Sequence, residues 1–75
     1  MDYIATFHTH LAALKTYRSL TQAGHTARMA PVPRKISSSC GTCVFFSAQE
    51  PCYELLDEDT EAVYTAEGTL LREYE

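Results

Sequence analysis

Two cysteines separated by Gly41 and Thr42 stand out in this 75-residue sequence. The Cys40-Gly41-Thr42-Cys43 spacing suits disulfide exchange, metal binding or sulfur chemistry. Ser37, Ser38 and Ser39 precede Cys40, and Arg34 and Lys35 lie just upstream. His8 and His10 form an H-x-H pair far back in the chain. Together with Cys40 and Cys43 they would supply four ligands of the kinds zinc accepts.

Cys40 has the strongest case for reactivity. A thiolate, not a thiol, is the sulfur nucleophile, and cations or a helix N-terminus favour it. Arg34 and Lys35 offer charge, Gly41 lets the backbone approach a bound group, and Ser37–Ser39 offer hydroxyls. Cys43 reads either as a resolving thiol for Cys40 or as a small apolar residue at the start of a strand. Cys52, spaced with Leu55 and Leu56, reads as core. His8 and His10 could instead assist deprotonation of Cys40.

These residues must be placed by a small scaffold. The length allows one hydrophobic core, hence a single domain over 1–75, and a homodimer would be an ordinary source of added stability. An odd count of three cysteines does not suggest a disulfide framework. No apolar run is long enough to span a bilayer. The opening Met1-Asp2-Tyr3-Ile4 lacks a basic region followed by an apolar one, so a cytoplasmic protein is expected. Residues 1–39 carry a net charge of +4 and residues 40–75 a net charge of −8. With no basic aromatic stripe, nucleic acid is not an expected partner.

Asp2–His8 is rich in aromatic and branched residues and predicts a strand. Thr9 suits a helix N-cap, and Leu11, Leu14, Tyr17 and Leu20 recur at near-helical spacing, predicting a helix over His10–Ala23 ended by Gly24. Strands follow at His25–Pro31, Cys43–Ala48 and Ala62–Ala66, with Val32–Thr42 as a loop. Pro51 and the apolar face of Cys52, Leu55 and Leu56 predict a second helix ending near Asp59. Thr69–Tyr74 could add a final strand. The order is α+β, a ferredoxin-like βαββαβ arrangement with an antiparallel sheet and both helices on one face. It would bring His8, Thr9 and His10 close to the loop that carries Cys40.

The stretches Phe7-His8-Thr9-His10 with Ala13-Leu14, and Met29-Ala30-Pro31-Val32-Pro33-Arg34-Lys35-Ile36-Ser37-Ser38-Ser39-Cys40-Gly41, resemble a family of small selenium/sulfur carrier-like proteins. The resemblance runs over nearly the whole chain. It implies that the cysteine at position 40 is the signature residue, while a cysteine at position 43 is not always present. On this reading Cys40 accepts a persulfide or selenopersulfide from a donor protein and passes it to an acceptor by thiol exchange. Arg34, Lys35, Ser38, Ser39, Gly41, His8 and His10 would hold the charged group. The chain would be a carrier more than a turnover enzyme, with no cofactor. Two rivals stand beside it: a zinc module using His8, His10, Cys40 and Cys43, and a thiol-disulfide protein using Cys40 and Cys43.

Overall fold

A computed structural model describes residues 1–74, so Glu75 of the expected 1–75 domain lies outside the described residues. Five strands and one α-helix follow in the order β1 (Asp2–Phe7), α1 (His10–Gln22), β2 (Thr26–Pro31), β3 (Thr42–Ser47), β4 (Thr60–Thr65) and β5 (Leu70–Glu73). The strands form one antiparallel sheet in the order β2-β3-β1-β4-β5. Thus β3 is inserted between β1 and β2, which α1 connects.

The central strand explains the core. Tyr3, Ile4, Ala5, Thr6 and Phe7 are all buried, because β1 is covered on both faces and so reads as a continuous apolar run. On one face Tyr3, Ala5 and Phe7 pack with Val44, Phe46, Val63 and the helix residues Ala12, Ala13 and Leu20. On the other, Ile4 and Cys43 are covered by Ile36 from the β2–β3 loop.

Thr9 caps α1: it has extended backbone, and its hydroxyl accepts from the Ala12 N–H at 3.1 Å. Gly24 follows the helix at φ +92°, the left-handed region that glycine enters without cost. The buried face differs from the expected one. Leu11 is 58% exposed, while Ala12, Ala13, Thr16 and Leu20 are buried. The two alanines let the helix approach the sheet closely, so small side chains fill the face that the leucine spacing suggested.

The expected second helix is a correction. Pro51–Asp59 contains only a single 3₁₀ turn, Tyr53–Leu55, closed by hydrogen bonds from Leu55 N to Cys52 O and from Leu56 N to Tyr53 O. Cys52 has φ +56°, which breaks a right-handed helical path at its first turn. Asp57, Glu58 and Asp59 would also crowd the C-terminal end of a short helix, where negative charge opposes the dipole. The fold is therefore α+β with one helix and five antiparallel strands, not a two-helix βαββαβ unit. The final strand expected within Thr69–Tyr74 is present as β5 and pairs with β4.

Candidate functional site: the Cys40 loop

The loop that carries Cys40 joins β2 to β3 and is fastened at its neck. Pro31 pairs with Thr42, and the Val32 N–H donates to Gly41 O at 3.1 Å. Gly41 lies at φ +75°, which favours glycine at this position. Ile36 is buried against Ile4 and Cys43, so the loop doubles back over the sheet rather than projecting from it.

The loop meets the β1–α1 junction, as the sequence implied for His8, Thr9 and His10. His10 Nδ1 lies 3.4 Å from Thr42 Oγ1. Ser38 Oγ lies 3.2 Å from Phe7 O and 3.0 Å from a carboxylate oxygen of Glu61. Ser39 donates to the same carboxylate twice, from its N–H to Oε1 at 3.0 Å and from its hydroxyl to Oε2 at 2.6 Å. His8 Nδ1 is 3.5 Å from Glu61 Oε2.

Glu61 is the residue that sequence reasoning missed. It is one of nine carboxylates in the second half of the chain, and no local pattern marks it. Only the pairing of β4 with β1, where Thr6 faces Ala62 and Phe7 faces Thr60, brings it to this corner. Burial works to raise its pKa, yet the hydrogen bonds from Ser39 and Ser38, with the nearby His8 ring, outweigh burial and hold it below the ordinary carboxylate value.

Cys40 is half-buried, packs against the helix-side core, and its thiol donates to Thr42 O at 3.4 Å. Cys43 belongs to the cluster on the opposite face and is fully buried. Burial pushes its thiol up to about 11; the Arg28 cation opposes this, and a Cys40 thiolate would add to it. Cys43 is thus built as core, with its thiol directed to Pro31 O at 3.8 Å.

The cations do not share the position the sequence suggested. Lys35 Nζ donates to Ala66 O at 3.0 Å, and the side chain passes over Gly68. Ala66 follows the last residue of β4, whereas Thr60, its first residue, lies beside Phe7 at the Cys40 end. At about 3.3 Å per residue these ends are about 20 Å apart. Arg34 is exposed on the loop.

The four-ligand zinc reading is also corrected. His8 turns to Glu61, His10 to Thr42 and Cys43 into the core. Among the described residues no group of three or more His, Cys, Asp or Glu side chains is arranged to hold a metal ion. No helix among them is long and apolar enough to cross a membrane.

The chain belongs to the family described as "Putative Se/S carrier protein-like", whose model matches residues 2–65. That span takes in β1 through β4 and the entire Cys40 loop. The chain is also similar to an Escherichia coli (strain K12) protein named "Uncharacterized protein YtiA", 25% identical over 73 residues that cover 95% of this chain and 86% of that protein. No solved structure matches it.

Proposed function

We propose that the chain carries sulfur or selenium on Cys40, taking it as a persulfide or selenopersulfide from a donor protein and delivering it to an acceptor. The observation that supports this most is the different fate of the three thiols. Cys43 is sealed in the core with its pKa pushed up to about 11. Cys52 is raised by burial and by Glu54 and Glu50. Cys40 alone stands in a fastened loop that meets the histidine-bearing β1–α1 junction through Thr42 and Glu61, within the span of the family match.

In the transfer step the Cys40 thiolate attacks the outer sulfur of the donor's persulfide. A new S–S bond forms on Cys40, the donor's S–S bond breaks, and the donor leaves as a thiolate that takes up the proton Cys40 gave away. No net oxidation occurs. Selenium follows the same path, and the acceptor reverses it. His8 and His10, which contact Glu61 and Thr42 at the edges of the loop, would exchange the proton with solvent or the donor, while Ser38 and Ser39 are engaged by Glu61 and serve the loop more than the cargo. Arg34 remains available on the surface for the charged group or the donor.

The test is intact mass after incubation with a cysteine desulfurase and cysteine, or with a selenocysteine lyase and selenocysteine. A gain of one chalcogen atom that is lost in Cys40→Ser and retained in Cys43→Ser supports carriage. Loading that survives Cys40→Ser overturns it. Loss in Cys43→Ser alone would favour the two-cysteine exchange instead.

A further inference from the structure

Glu61 holds the Cys40 end of the loop with both of its oxygens. Oε1 accepts from the Ser39 N–H and lies at hydrogen-bond distance from Ser38 Oγ, while Oε2 accepts from the Ser39 hydroxyl and faces His8 Nδ1. A carboxylate has about four acceptor positions, so these contacts use nearly all of them. The side chain is only 20% exposed and stands on a strand paired on both sides, with its own backbone carbonyl held by the Tyr74 N–H at 2.8 Å.

From this geometry we infer that Glu61 is the positioning residue of the Cys40 site. Its ionised carboxylate fixes Ser38 and Ser39 and orients His8, and so sets how Cys40 is presented to a reacting group. The inference rests on the reading of Cys40 as the working thiol. Neutral groups could fasten a loop, but hydrogen bonds to a charged acceptor are about twice as strong as neutral ones. With Nδ1 turned to Glu61, His8 has a second ring nitrogen on a side chain that is 50% exposed, and a half-exposed imidazole can exchange a proton. Among the described residues His8 is the only ionisable group within ion-pair distance of Glu61.

The experiment follows the Ser39 amide by NMR, with site-resolved alkylation of Cys40 by a small haloacetamide. In the wild type, the Ser39 amide shift follows the ionisation of Glu61 in acid, below the ordinary carboxylate value. In Glu61→Gln that titration disappears, because an amide replaces the charged acceptor and sets an NH₂ group against the Ser39 hydroxyl. Ser39 exchange becomes about tenfold faster, the loss expected for one charge-assisted hydrogen bond. Cys40 alkylation becomes severalfold faster as the half-buried thiol is released. The double variant Ser38→Ala, Ser39→Ala speeds Cys40 alkylation in the same way with Glu61 intact. Protected amides of Ala5 and Val44 show that each variant is folded.

Unchanged Ser39 exchange and Cys40 alkylation in the folded variants, or a wild-type Ser39 amide that does not titrate, would overturn the assignment. Sulfur loading is a separate readout. If the wild type takes no sulfur while Ser39 and Cys40 respond as stated, the carrier reading fails and the role of Glu61 stands. If loading proceeds but the variants change nothing, Glu61 alone is misassigned.

Discussion

The two ends of the sheet each present a half-buried cysteine near a histidine and a carboxylate, and they are built in opposite ways. At one end Glu61 is engaged by Ser38, Ser39 and His8, and Cys40 donates to a main-chain carbonyl. At the other, Cys52 Sγ lies 3.6 Å from His25 Nε2 and 3.2 Å from Glu50 O, in a groove also lined by Glu54. There the two carboxylates add to burial in raising the thiol. The difference lies in what the neighbouring carboxylates do: Glu61 is engaged by serine and histidine partners, whereas Glu50 and Glu54 act on the Cys52 thiol itself.

The sharpest break of this comparison is the order of thiol reactivity. With a pKa of about 11, Cys43 is thiolate in about one part in ten thousand near pH 7 and should alkylate slowest of the three, at least about a hundredfold more slowly than a free cysteine. Cys52 should fall between them. Site-resolved alkylation of the native protein measures this, and a faster Cys52 would remove the contrast. Replacing Glu50 and Glu54 with Gln should speed Cys52 alkylation severalfold and leave Cys40 unaffected, an effect that shrinks in high salt because both carboxylates are exposed.

A smaller effect is expected on acid stability. Because the folded pKa of Glu61 is depressed, its ionised form stabilises the fold fully above the ordinary value of 4.5, and this contribution is lost as pH falls through the lower folded value. Urea midpoints should therefore drop on acidification in that window more in the wild type than in Glu61→Gln. The smallest effect concerns Lys35, which is committed to Ala66 O at the far end of the sheet. Lys35→Gln should change the Cys40 alkylation rate by less than about twofold, since an exposed cation beyond a Debye length is largely screened. A large slowing would place Lys35 back in the site.

Much of this arrangement was legible in the sequence because it rests on local signals. Thr9 and Gly24 bracket α1 by capping chemistry, and the apolar runs of β1 and β3 are those of central strands. The loop could be read from its prolines, serines and Gly41. The second helix could not, since the spacing of Cys52, Leu55 and Leu56 is equally served by a 3₁₀ turn whose half-buried side chains pack onto the core. Lys35 misled for a related reason: it lies only five positions before Cys40, but the loop folds back over the sheet and carries its ammonium away. Glu61 was invisible because its partners lie more than twenty residues away and are joined to it by strand pairing alone.

On the proposed function Cys40, and neither of the other thiols, carries the transferred atom. The most direct measurement is fragmentation mass spectrometry of the wild-type chain after loading from a desulfurase persulfide. Fragmentation is needed because residues 36–72, with all three cysteines, contain no lysine or arginine before Arg72 and leave trypsin as one peptide. The added sulfur is expected on Cys40 and should disappear on addition of an acceptor thiol. Sulfur found on Cys52 or Cys43, or a label on Cys40 that no acceptor thiol removes, would contradict it.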